Sequence, residues 1–128
     1  MRFILALCVL AVAVAVSTAD AQDAAAPADP DAAKGKTAFE AKCVACHTMG
    51  GGDKVGPDLR GVTKRRGDAW LTKWLLDTEQ MQKTDPVGKA LLAKYKTPMP
   101  NQGLNQDEVR QILKFLHWND GRKQTAQR

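Results

Sequence analysis

The chain has 128 residues and a mass of 13.9 kDa, which leaves room for one small domain. Its 44% hydrophobic and 5% aromatic content excludes a multidomain enzyme, a long coiled coil and a polytopic membrane protein. Lys and Arg outnumber Asp and Glu by 19 to 14, a net charge of +5, and a domain this small often needs a disulfide, a metal or a cofactor for stability.

The first 21 residues have the three parts of a secretory signal peptide. Arg2 is the positive start, residues 3–16 are an uninterrupted apolar run, and a small-x-small cleavage site ends at Ala21. A membrane anchor is the alternative, but the run is shorter than the ~18 to 20 residues of a spanning helix. We therefore predict cleavage near Ala21, loss of Cys8 with the signal, and a periplasmic protein.

The mature chain divides into three parts. Residues 22–31 are rich in Ala, Pro and Asp and predict a flexible leader. Residues 32–119 form the predicted domain, and residues 120–128 a disordered basic tail. From Ala32 onward there are 18 basic and 10 acidic residues, so the domain is more basic than the whole chain.

The domain has helix signals and no strand alternation. Four segments have start signals, and the predicted caps are Asp29 or Asp31, Asp68, Asp85 and Asn105. Asn105 has Glu108 three residues later, as in a capping box. Residues 48–67 and 97–103 are predicted to be long loops. We expect an all-α domain of about four short helices around a bound group, because so few large side chains cannot fill its centre.

The sequence Cys43-Val44-Ala45-Cys46-His47 indicates what that group is. C-x-x-C-H is the attachment signature of c-type haem: each cysteine forms a thioether with one vinyl group, and the histidine becomes the proximal iron ligand. A disulfide would close only a tiny loop, and a thioredoxin-like pair needs a βαβ context. A structural zinc site needs four ligands. Once Cys8 is lost with the signal, the protein donor that remains beside Cys43, Cys46 and His47 is the distant His117.

The second axial ligand is predicted to be Met99. Pro98 and Pro100 hold it in an extended segment with little freedom to swing away, and a Met/His pair is a common c-type arrangement. Met49 is too close to His47 to reach the opposite haem face. Met81 lies in the polar stretch 78–84 and is expected to fill a gap, and His117 is the bis-His alternative.

Taken together, these residues resemble a class I, mitochondrial-type monohaem cytochrome c of the small bacterial periplasmic type. The similarity runs from Ala32 to Trp118 and consists of the following residues: Gly35, Phe39, Cys43, Cys46, His47, Gly56, Pro57, Asp58, Leu59, Met99, Pro100, Phe115 and Leu116. Four-helix cytochromes c-prime carry the motif near the C-terminus, whereas it lies early in this chain.

The resemblance implies two packing roles. Gly35 would be the small residue where the first and last helices cross, opposite Ile112, Phe115 or Leu116. The Pro57 carbonyl would accept a hydrogen bond from the His47 ring and so orient it. The haem propionates also need donors, and the candidates that the sequence leaves open are Arg60, Trp70, Trp74 and Tyr95.

The function implied is one-electron transfer rather than catalysis, by a monomer that does not bind nucleic acid. Basic residues around the motif would steer the protein to acidic docking surfaces of redox partners, and they are Lys42, Lys54, Arg60, Lys64, Arg65 and Arg66. A tightly bound cytochrome subunit of a periplasmic oxidoreductase, such as a dehydrogenase, is the alternative. A ligand-binding or peroxidatic haem protein would require a vacant sixth position on the iron.

Overall fold

The structure is a computed structural model that describes residues 26–122, where it has six α-helices and no β-strand. The helices are α1 (Pro30–Lys42), α2 (Val62–Arg65), α3 (Asp68–Leu76), α4 (Thr78–Thr84), α5 (Pro86–Tyr95) and α6 (Gln106–Gly121). The predicted all-α class is confirmed. The predicted signal peptide, residues 22–25 of the leader and residues 123–128 of the tail lie outside the described residues. The described ends of both segments include helix, because α1 begins at Pro30 and α6 ends at Gly121. No helix within residues 26–122 is long and apolar enough to cross a membrane.

Side-chain caps begin three of the four predicted helices. Asp29 caps α1, Asp85 caps α5, and Asn105 forms the predicted capping box with Glu108 at the start of α6. The prediction for Asp68 is wrong. Gly67 precedes α3, and Asp68 is its first helical residue, whose carboxylate lies 2.8 Å from His117 Nε2 on α6 instead of capping α3.

Two helices were not predicted from the sequence, α2 and α4. The first is a single turn whose start is capped from far along the chain: the Asp120 carboxylate accepts hydrogen bonds from the amides of Gly61 (2.6 Å) and Thr63 (3.0 Å). The second is polar along most of its length and buries Thr78 and Gln82. Neither has the apolar period from which a helix is read in a sequence.

The crossing of α1 and α6 determines the frame of the domain. A Cβ at Gly35 would lie 1.9 Å from the Gln111 carbonyl oxygen, so the backbones touch there and no larger residue fits. Phe39 packs against Phe115 beside this point, with ring centroids 5.2 Å apart. The small residue at the crossing is where it was expected, and it faces the backbone of Gln111 and Ile112.

The long loop between α1 and α2 is held by two aspartates. The Asp58 carboxylate accepts hydrogen bonds from the amides of Gly50 (2.7 Å), Gly52 (2.8 Å) and Arg60 (2.9 Å). Asp53 connects the same loop to α5 through the Tyr95 hydroxyl (2.7 Å). Further along the loop, the Gly56 amide donates to the Cys46 carbonyl (2.9 Å), so residues 56–57 lie against the turn that follows α1.

Candidate functional site

The two cysteines and His47 lie on the turn that follows α1. The amides of Cys46 (3.1 Å) and His47 (2.9 Å) both donate to the Cys43 carbonyl, which folds the motif back on itself. Cys43 and His47 are buried and Cys46 is exposed. Burial raises the pKa of the Cys43 thiol to about 11, so it is not the low-pKa thiolate of a disulfide oxidoreductase.

The His47 ring is oriented by the loop opposite it. Its Nδ1 lies 2.8 Å from the Pro57 carbonyl oxygen, the contact that the resemblance implies. A Cβ at Gly56 would lie 2.5 Å from His47 Cε1, so the ring leaves no room for a side chain at this position. With Nδ1 donating to Pro57, Nε2 is the ring nitrogen that remains for a metal.

A cavity of about 280 Å³ lies in front of this turn, and every one of the six helices contributes to its wall. The lining is mostly apolar, and Cys43, Cys46, His47 and Met99 all belong to it. The apolar side chains around them include Phe39, Val62, Trp70, Leu71, Trp74, Leu75, Leu91, Leu92, Ile112 and Leu116. The fold thus brings two thiols, a ring nitrogen and a thioether to one apolar space.

Met99 reaches this cavity from the loop between α5 and α6. Its Sδ accepts a hydrogen bond from Trp74 Nε1 (3.4 Å), and its backbone bonds to the side chain of Gln82. The other candidates lie elsewhere: Met49 and Met81 do not line the cavity, and His117 is on the exposed side of α6 next to Asp68. Nothing in the sequence pointed to Gln82, which is one of several polar residues in 78–84.

The four candidate propionate donors differ in what they already contact. The Tyr95 hydroxyl donates to Asp53, Trp74 donates to Met99, and the Arg60 guanidinium turns toward the Met49 carbonyl (3.5 Å) outside the cavity. Trp70 Nε1 is buried without a hydrogen-bond partner among the described residues.

The setting of Trp70 favours a polar group inside the cavity. The lowered pKa of Asp85 is due mainly to the Gly88 amide, and the nearby Trp70 side chain also contributes to it, although Nε1 forms no hydrogen bond of ordinary geometry with the carboxylate. A buried N–H without a well-formed hydrogen bond is unfavourable, so Trp70 remains available to donate to an acceptor on a bound molecule. Arg65 and Arg66 also line the cavity, and the Arg66 guanidinium lies 5.5 Å from the Trp70 ring centroid.

These observations fit a covalently attached haem. The apolar wall suits a porphyrin, the two thiols suit its vinyl groups, and Trp70 with the two arginines suits its carboxylates. A second depression of about 410 Å³ lies over Phe39 and Trp118. It touches His47 but includes neither cysteine and not Met99, so its larger volume does not make it the site.

The chain matches the family model described as cytochrome c over residues 32–120. A cytochrome c-553-like protein of Synechocystis sp. (strain ATCC 27184 / PCC 6803 / Kazusa) is 26% identical over 86 residues, which cover 67% of each chain.

Solved structures agree with the family match. Cytochrome c from Rhodothermus marinus is 34% identical with a TM-score of 0.68, over 70% of this chain and 77% of that one. The cytochrome c domain of the pp3183 protein from Pseudomonas putida is 36% identical with a TM-score of 0.62, over 69% of this chain and 89% of that one. The chain therefore shares both sequence and fold with haem c proteins.

Proposed function

The chain belongs to the cytochrome c family, and from this premise we propose that it is a periplasmic one-electron carrier in which Cys43 and Cys46 bind the haem and His47 and Met99 are its axial ligands. Covalent haem c and electron transfer are properties of the family. The observation that carries the assignment of residues is the single cavity whose wall includes all four of them.

When bound, the haem iron supplies a centre that gains or loses one electron. The protein's part is to attach, orient and enclose it. Pro57 fixes the tautomer of His47 through Nδ1, which leaves Nε2 for the iron and makes the ring a stronger donor. Trp74 and Gln82 fix the sulfur and the backbone of Met99. With His47 and Met99 both bound to the iron, no position would remain for a substrate, so we expect no catalytic turnover.

The surface around the motif supports docking to acidic partners. In the described part of the chain, none of the six basic residues around the motif is within ion-pair distance of a carboxylate; these are Lys42, Lys54, Arg60, Lys64, Arg65 and Arg66. The hydrogen bonds that their side chains donate go to backbone carbonyls, as for Lys42 with Gln102 (3.2 Å) and Lys54 with Val44 (3.1 Å). Val44 and Val55, each 44% exposed, add an apolar patch beside these charges. Uncompensated positive charge next to the cysteines suits a fast, salt-sensitive encounter.

The ligand assignment is tested on the purified haem protein by absorption spectra in both oxidation states. We expect the long-wavelength band of a sulfur-to-ferric-iron bond in the wild type and in Met81→Ala, and its loss in Met99→Ala. Loss of the band in Met81→Ala alone would contradict the assignment. Mass spectrometry of the denatured periplasmic protein should give a chain that begins at Gln22 and retains one haem.

A free carrier and a permanent subunit differ in how they respond to salt. We expect the protein to separate from its redox partners during purification at about 0.5 M salt, where the Debye length falls below ~5 Å and surface attraction is screened. The tagged protein would be purified at low and high salt from the same cells. A stoichiometric oxidoreductase that stays bound at high salt would instead make the chain a subunit.

A further inference from the structure

Gln82 is an unusual residue for the interior of this domain. It lies on α4 with only 5% of its surface exposed, and it lines the cavity. A buried side-chain amide has two N–H donors and a carbonyl acceptor, and all of them need partners. Gln82 finds these partners mainly on one residue, Met99.

The two residues are joined by a reciprocal pair of hydrogen bonds. Gln82 Nε2 donates to the Met99 carbonyl oxygen (2.7 Å), and the Met99 amide donates to Gln82 Oε1 (3.0 Å). A third bond from Gln82 Nε2 to the Thr78 carbonyl (3.2 Å) holds the amide to its own helix. The Gln82 amide thus bonds both main-chain groups of Met99, and it joins the loop between α5 and α6 to α4.

The sequence around Met99 explains why this pairing matters. Proline has no backbone N–H, so in residues 98–100 the Met99 amide is the only main-chain donor. The Met99 amide donates its hydrogen bond to Gln82 Oε1. The prolines limit the φ angles of the segment, but they cannot attach it to the rest of the domain. Within the described residues no main-chain hydrogen bond joins residues 98–100 to the rest of the domain, and Gln82 makes two of the side-chain bonds that do.

We propose that Gln82 is a positioning residue that keeps Met99 on the iron by holding its backbone at a fixed place in the cavity wall. The inference rests on the proposed His/Met ligation. For Met99 to leave, its loop must move and both hydrogen bonds must break. One hydrogen bond of this kind corresponds to roughly threefold in an equilibrium constant, so loss of the pair should raise the population with Met99 released about tenfold.

The test uses imidazole as an external ligand of the ferric haem protein. Imidazole binds only when Met99 is off, so its apparent Kd is inversely proportional to the released population. We expect Gln82→Leu to bind imidazole about tenfold more tightly than the wild type. Thr78→Val is the matched control, because it removes one buried hydrogen bond, from Thr78 Oγ1 to the Trp74 carbonyl (2.8 Å), on the same helix. Its imidazole affinity should stay within about twofold of the wild type.

The outcomes separate this inference from the function on which it rests. Equal imidazole affinity in Gln82→Leu and the wild type, or an equal increase in Thr78→Val, would overturn the role of Gln82 while leaving the ligation intact. A wild-type spectrum without the sulfur-to-iron band would overturn the ligation and this inference together.

A measurement on the wild type does not depend on how the variants fold. In the native haem protein, the Met99 amide should exchange its proton with D₂O at least tenfold more slowly than an unstructured peptide, because Gln82 accepts it. Exchange at the unstructured rate would contradict the proposal even if Gln82→Leu cannot be purified.

Discussion

His47 and Met99 both line the cavity, but the residues that hold them lie at different distances along the chain. His47 is oriented by Gly56 and Pro57, about ten residues along the chain, within the loop that follows the cysteines. Met99 is held by Gln82 and Trp74, which lie 17 and 25 residues before it on two different helices. The contacts that orient His47 therefore lie within one loop, whereas the contacts that hold Met99 depend on how α3 and α4 pack.

Trp74 is expected to adjust the reduction potential. Its N–H donates to Met99 Sδ, which draws electron density from the sulfur and favours the ferrous state. We expect Trp74→Phe to lower the potential by about 20 to 40 mV, the one-electron equivalent of a difference of ~0.5 to 1 kcal/mol in that hydrogen bond between redox states. Spectroelectrochemical titration would measure it.

Trp118→Phe is the control for this variant, since Trp118 packs on Phe115 (5.9 Å) and does not line the cavity. Its potential should equal that of the wild type. An unchanged or higher potential in Trp74→Phe would show that the hydrogen bond to sulfur has no electronic effect.

At the level of elements, close approaches between helices depend on two glycines. Gly35 lets α1 touch the backbone of α6, and Gly88 does the same between α5 and α4, where an added Cβ would lie 2.2 Å from the Met81 carbonyl oxygen. The second contact fixes how α4 packs against α5, and α4 carries Gln82. The resemblance pointed to Gly35, whereas Gly88 was found only from the structure.

Gly35→Ala should strongly destabilise the domain. The new methyl group would meet a backbone carbonyl at 1.9 Å, which cannot move without separating α1 from α6. We expect the free energy of unfolding to fall by about 2 to 3 kcal/mol, a typical cost of overpacking. Chemical denaturation of the haem protein, followed by far-UV circular dichroism, would measure the change.

Gly121→Ala is the matched control, because Gly121 is also helical and an added Cβ there meets nothing within 4 Å. Its stability should be equal to or slightly above that of the wild type. Similar losses in the two variants would mean that the crossing of α1 and α6 tolerates a side chain.

For the whole molecule, carboxylates connect parts that are distant in sequence. Lys114 on α6 bonds Asp31 on α1 (2.8 Å), and Asp53 bonds Tyr95 and Lys94 on α5. The Asp58 amide, then Tyr95 and Lys94, holds the pKa of Asp53 well below its ordinary value of 3.8. These contacts need the ionised form of Asp53.

Acid should therefore destabilise the protein. A carboxylate whose folded pKa lies below 3.8 adds stability at pH values above 3.8, and this contribution is lost as the pH falls through the folded value. We expect the urea midpoint of the haem protein to fall as the pH drops from 5 to below 3.8. Asp53→Asn should be less stable at pH 7 and should lose less on acidification; an equal fall in both proteins would contradict the role of Asp53.

The sequence by itself determined the parts that depend on short spacing. Hydrogen-bond caps act within three residues, so Asp29, Asp85 and Asn105 could be read directly. The spacing of Cys43, Cys46 and His47 is set within one turn, and the prolines around Met99 are its immediate neighbours.

Only the tertiary structure decided the long-range polar contacts. Asp120 caps α2 from 59 residues away, Gln82 pairs with Met99, and Trp70 in the cavity wall is left with an N–H that forms no hydrogen bond within the described residues. The physical reason is that helical periodicity identifies which apolar residues face inward, but the partners of a polar side chain depend on the angles and distances at which the helices cross.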